Sequence, residues 1–141
     1  KYFGGRADVR GYEIADAAID GRFDLALERV RWAETAKVPA TYITTALASG
    51  LRSLAKLADA DGSGIRTGDK RLSEADIAKF VGAPPFKIRS LRQQLRGWST
   101  EGLAHALRAV ASTDVDIKSG ETDPAYAVER LVLQIAQARR L

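Results

Sequence analysis

The stretch Asp59–Ser73, DADGSGIRTGDKRLS, combines glycines with a lysine, the ingredients of a loop that wraps a phosphate. Such a loop needs G-x-x-x-x-G-K-[ST] between a strand and a helix, so that backbone N–H groups and the lysine converge on the anion. Gly64, Gly68 and Lys70 have the wrong spacing, and Arg71 stands where Ser or Thr is required. The stretch reads as a flexible connector. His105, the only histidine, has Glu101 as its one acidic neighbour at helical spacing, too few groups for a metal site or a triad. No carboxylate pair is spaced for acid–base work. The chain is therefore expected to be no enzyme, with no catalytic residue, no metal and no cofactor.

Binding chemistry is better represented. In VGAPPFKIRSLRQQLRGWS, Val81–Ser99, the residues Ile88, Leu91 and Leu95 share one helical stripe, and Arg89, Arg92 and Arg96 form another beside it. Counting Glu74 as one, alanine falls at five (Ala78), glycine at nine (Gly82) and aliphatics at fifteen and eighteen (Ile88, Leu91). That is the spacing of a helix-turn-helix: the alanine lets two helices cross, the glycine turns, and the aliphatics anchor the second helix. Residues 74–96 thus support a DNA-binding regulator, with the arginines on phosphates or guanine edges. The same residues equally describe a tight helix pair whose arginines are a solvated face, or meet an acidic partner.

Further on, Leu103, Leu107, Val110 and Ile117 make an apolar stripe with Asp114 in its middle, where an unpaired carboxylate is costly to bury. Lys118 follows four residues later, in the favourable acid-then-base order. Asp114 is read either as half of an intrahelical ion pair or as the acceptor of a cation from another subunit. In the last helix Val128, Leu131, Val132 and Ile135 form one apolar face, and Tyr126 with Leu133 adds to a second. A helix apolar on two sides is sandwiched, so Tyr126, Leu133 and Asp114 are the expected subunit-interface residues.

The elements that carry these residues are all helical, because no segment alternates with period two. Val9–Ile19 forms a first helix ended by Gly21, and Asp24 opens a second with Phe23, Leu27 and Val30 on one side. Pro39 sits near the start of a long third helix repeating Ile43, Leu47, Leu51, Leu54 and Ala58. Its Ala46, Gly50 and Ser53 allow a neighbour to approach closely. Ser73 caps a fourth helix from Glu74 to Val81, and the fifth spans about Pro85–Arg96. Ser99 caps the sixth, and Asp123-Pro124 starts the seventh. The expected fold is all-α, a compact bundle of about six or seven helices in one domain over residues 1–141, with 59–73 as an internal connector.

Composition sets the outer limits. Hydrophobic residues make up 45% and charged residues 28%, an ordinary globular balance, and alanine is the commonest residue. There is no cysteine, which excludes disulfides and thiolate metal sites and suits a reducing cytoplasm. No apolar run reaches the roughly 20 residues of a membrane helix, so no membrane partner is expected. The net charge is +4, and the excess of Lys87, Arg89, Arg92, Arg96 and Arg108 over Glu101 accounts for all of it. A local excess of this kind favours nucleic acid or an acidic partner. The chain starts at Lys1 and lacks methionine, so it is expected to be a fragment.

The order YFGGRADVRGYEIADAAIDGRFDLALERVRW, then LRSLAKL, then the run from Val81 to Ala136 resembles the C-terminal domain of the delta subunit of bacterial DNA polymerase III. The likeness covers nearly the whole chain and is closest to actinobacterial members. Its more specific features are Asp16, Ala17 and Gly21, the Pro84-Pro85 helix start, and Asp114…Lys118 followed by Asp123-Pro124 and Glu129. The resemblance implies a helical collar segment of the clamp loader, the assembly that places the ring-shaped sliding clamp on primed DNA. Implied partners are the other loader subunits (tau/gamma and delta prime) through the collar. The sliding clamp would be met through N-terminal AAA+-like domains that this fragment lacks, and primed DNA within the assembled complex. Delta is not expected to hydrolyse ATP, in line with the missing phosphate loop.

Overall fold

A computed structural model describes residues 2–61 and 73–141, with side chains from residue 10 onward. Its helices are α1 (Tyr2–Ile19), α2 (Phe23–Thr35), α3 (Ala40–Asp61), α4 (Glu74–Val81), α5 (Pro85–Leu95), α6 (Thr100–Ser119) and α7 (Pro124–Arg139). Among the described residues there is no strand, and the all-α reading holds.

The helix ends follow local chemistry. Ser73 Oγ accepts from the Asp76 N–H at the start of α4, Ser99 Oγ from Gly102 at α6, and the Asp123 carboxylate from Tyr126 at α7. Pro85 and Pro124 occupy first-turn positions, where no N–H is needed. Gly21, at φ +86°, takes the left-handed step that stops α1, and the Arg22 N–H then reaches back to the Ala17 carbonyl at 2.8 Å.

Two boundaries differ from the sequence expectation. Helix α1 starts at Tyr2 instead of Val9, ahead of any apolar period, through a Gly4-Gly5 pair of poor helix propensity. Helix α3 runs through Asp61, so the first residues of the expected connector 59–73 are its last turn, and Ser73 is a cap. The remainder of that connector, 62–72, including the glycine-rich stretch that superficially resembles a phosphate loop, lies outside the described residues.

Helix α3 is the axis of the bundle and packs against α1, α4, α5, α6 and α7. Ile43, Leu47, Leu51, Leu54 and Leu57 are buried along it, while Ala58 is half-buried, so the stripe ends on Leu57. A Cβ on Gly50 would stand 2.7 Å from Ile19 Cδ1, which is why a small residue is needed where α1 crosses. The far ends of the chain meet at one atom. The Ile19 carbonyl, at the end of α1, accepts from Trp98 Nε1 at 3.0 Å and from Arg139 Nε at 3.2 Å. The Arg139 guanidinium lies where a Cβ on Gly21 would go, with Nη1 at 2.6 Å from that position. The loop before α6 and the end of α7 are thereby tied to the end of α1.

Candidate subunit interface

Helix α7 has the two faces that its sequence implies, and they differ sharply in burial. Val128, Leu131, Val132 and Ile135 are at most 1% exposed, packed toward α6, α2 and α3. Tyr126 and Leu133 are 59% and 53% exposed. Seven residues apart, they project within about 20° of each other, so they share one outward stripe. Arg130 lies between them, its guanidinium 5.5 Å from the Tyr126 ring centroid and 3.3 Å from Asp116 Oδ2 of α6. Val115, next to Asp116, is another exposed apolar side chain. An aromatic, two aliphatics and a cation held in place by a carboxylate are what a protein-binding surface is made of.

Asp114 is not part of that stripe. It lies two residues from Asp116, and so on another side of α6, facing α3. Lys118 Nζ is 2.8 Å from its Oδ2, and the hydroxyl of Thr44, buried on α3, donates to Oδ1 at 3.1 Å. Local spacing gives no hint of Thr44 as a partner, because it lies 70 residues away. The Lys118 ammonium, and then the Thr44 hydroxyl, hold the Asp114 carboxyl below its ordinary value against the cost of partial burial. The intrahelical reading of the pair is therefore realised, and any cation from a neighbour would compete with Lys118.

Asp114→Asn is expected to lower stability by about 1 kcal/mol at neutral pH, a small figure because Lys118 is largely solvated. Asp114 has a depressed value in the folded chain. Its contribution is thus present above the unfolded carboxylate value of 3.8 and is lost as pH falls through the folded one. Denaturant midpoints of the two proteins should accordingly converge below that pH.

The three arginines of α5 part company. Arg92 is drawn into the structure: its Nη2 and Nε reach Asp61 at 3.0 and 3.2 Å, and its Nη1 reaches Glu74 at 3.1 Å. It joins the end of α3 to the start of α4 and is not free to contact a phosphate. Arg89 and Arg96 are exposed and form no ion pair among the described residues. Beside them Phe86 is 79% exposed, the most exposed large apolar side chain described. Periodicity does not single out Phe86, because it falls in the first turn, outside the Ile88–Leu91–Leu95 stripe. Ala78, Ile88 and Leu91 are buried where α4 meets α5, and each serves the helix pair itself.

Elsewhere, Trp32 on α2 is 48% exposed with Arg10 of α1 stacked 4.2 Å from its ring centroid. His105 is exposed, and no group of His, Asp or Glu among the described residues could hold a metal. No described helix is long and apolar enough to cross a membrane.

Comparison with known proteins places this arrangement. Residues 9–135 match the family model for the DNA polymerase III delta subunit, C-terminal domain. Among solved structures the chain is similar to the Bacillus subtilis DNA clamp loader delta protein, with a TM-score of 0.75 at 17% identity. The alignment covers 93% of this chain and 37% of that one, so the present chain spans little more than a third of its solved relative. At that identity the likeness is one of fold. No curated protein matches.

Proposed function

This chain belongs to the family of C-terminal domains of the DNA polymerase III delta subunit, and on that premise we propose that it is the collar segment of a clamp loader. Its role is to hold the delta subunit to its neighbours while the assembly loads the sliding clamp onto primed DNA. The observation that carries the proposal is the outward stripe of α7, where Tyr126 and Leu133 stand exposed on a helix whose other face is fully packed. Each member of a ring contacts two neighbours through different surfaces. Trp32 with Arg10, on α1 and α2, is a second exposed aromatic site for the other contact. Asp114 keeps a place at a contact only if a neighbour's cation displaces Lys118. The partners that fit are the tau/gamma and delta prime subunits, and the role is non-catalytic and cytoplasmic. The test is co-purification with those subunits; a chain that is recovered alone under conditions where the remaining loader assembles refutes it.

The helix-turn-helix regulator is not favoured by any feature of the structure. One of its three arginines is spent within the fold, and the family match leads to replication. The free cations of α5 instead support a weak contact with the nucleic acid in the assembled loader. Arg89 and Arg96 neutralise phosphates, and Phe86 offers a face on which an unpaired base can stack.

Duplex binding by the chain is expected to be indifferent to sequence and steeply salt-dependent. Replacing both Arg89 and Arg96 by alanine should reduce the slope of log K against log salt by roughly 1 for each phosphate no longer neutralised. Phe86→Ala should weaken single-strand binding more than duplex binding. Fluorescence anisotropy over a salt series measures all of these. Affinity on the order of 10⁻⁸ M for one duplex at physiological salt would return the regulator to first place.

A further inference from the structure

The carboxylate that lacks a partner is not Asp114 but Glu34. A cleft of about 270 Å³ opens between α2, the turn into α3 and the start of α7. Val30, Val38, Ile43 and Val128 give it apolar walls, and Glu34 and Asp123 lie on it. Glu34 Oε2 has no exposed surface and no hydrogen-bond partner. Glu129 of α7 stands beside it, and the nearest cation, Arg31, reaches Glu129 only at 3.8 Å with its side chain 65% exposed. Three carboxylates therefore converge here on a single, largely solvated guanidinium. Helices α2 and α7 hold them together because Ala26, Val30 and Ala33 pack in the same core as Val128 and Leu131.

We propose that this cleft receives the cationic side chain, arginine or lysine, of a neighbouring subunit, with Glu34 and Glu129 as its acceptors. The proposal rests on the collar reading for the identity of the neighbour. The apolar walls suit the methylene stem of such a side chain, and the acidic floor suits its head. A neutral or acidic group would leave Glu34 Oε2 unsatisfied, at the cost of a desolvated polar atom.

The titration of the site points the same way. Burial first, then the adjoining Glu129 carboxyl and more weakly Asp123, raise Glu34 above its ordinary value; Arg31 opposes them. The segment of α3 on the cleft, Ala40 to Ile43, brings no charge. In the free chain Glu34 thus retains its proton to higher pH than usual, and an arriving cation must displace it. Binding consequently releases a proton and tightens as pH rises through the raised value.

The probe is N-acetyl-arginine amide, titrated into the chain and followed through backbone amide shifts, with the neutral citrulline amide as its isosteric control. The expected result is a saturable change confined to α2 and the start of α7. It should strengthen with pH and be weakened tenfold or more by Glu34→Gln. Asp114→Asn, on another side of the bundle, should leave it unchanged. Equal shifts with the citrulline compound, no saturation, or indifference to Glu34→Gln would each overturn the cleft assignment. Assembly with the loader subunits separates the two levels. If the wild-type chain assembles and Glu34→Gln assembles equally well, the cleft proposal fails and the collar stands. If the wild-type chain does not assemble, the collar reading fails, and the arginine probe still decides what the cleft binds.

Discussion

Leu131→Ala is expected to cost the fold about 2–5 kcal/mol, whereas Leu133→Ala, two residues along the same helix, should cost less than about 0.5. Leu131 is 0% exposed and Leu133 is 53% exposed, so truncating the first leaves a cavity and truncating the second leaves solvent. In assembly the order should reverse. Tyr126→Ala, or Leu133→Ala, should weaken association with the neighbouring subunits by about 2 kcal/mol, or about 30-fold, if these side chains anchor the contact. Thermal melts of the single chain and pull-down with the partner subunits read the two effects separately. Normal assembly by both surface variants would remove α7 from the interface. Loss of folding in both would place Tyr126 and Leu133 in the core, against the exposure observed.

Gly102→Ala should be among the most damaging of conservative changes in α6. A Cβ there would lie 2.5 Å from the Ala138 carbonyl oxygen of α7 and 3.2 Å from Ser99 Oγ, the group that caps α6. Because the obstacle is backbone, it cannot be relieved by a rotamer change, and α7 must move. Overpacking of this kind costs about 3 kcal/mol, against which the better helix propensity of alanine returns about 1. A net loss of about 2 kcal/mol lowers the melting temperature by roughly 6 °C in a chain of this length. Gly82→Ala is the comparison: its φ of +81° makes the change unfavourable by about 1 kcal/mol, yet no atom within 4 Å would be struck. Equal stability of Gly102→Ala and the wild type would mean that α6 and α7 are not packed this closely.

Why some of this is legible in the sequence and some is not follows from distance along the chain. Periodicity and caps are local, so Ser73, Ser99 and Asp123 with Pro124 mark the starts of α4, α6 and α7 within a residue or so. The opposed faces of α7 are equally plain, since Tyr126 and Leu133 fall seven residues apart and away from the Val128–Ile135 stripe. The roles of charged groups are not local. Arg92, Arg89 and Arg96 look alike on a helical projection, and only the ends of α3 and α4 show that Arg92 is engaged by Asp61 and Glu74. Asp114 stands out as a carboxylate in an apolar stripe, but its second partner, Thr44, is supplied by another helix. Glu34 gives no signal, because what isolates it is the approach of Glu129 from the far end of the chain.

The Ile19 carbonyl has a bearing on how this chain comes to be folded at all. Its two donors, Trp98 and Arg139, lie 79 and 120 residues downstream. Bringing such distant segments together carries a loop-closure entropy that local helix formation does not, and it is met only when packing elsewhere has shortened the search. On a ribosome, which issues residues from the N-terminus, α1 through α6 emerge with this acceptor still open to water on one side. The closure waits for the last turn of α7. The order of synthesis and the order of completion therefore run together, and the element that carries the proposed contact surface is also the last to lock into place. A nascent chain would present that surface to a neighbour only once the bundle behind it is whole.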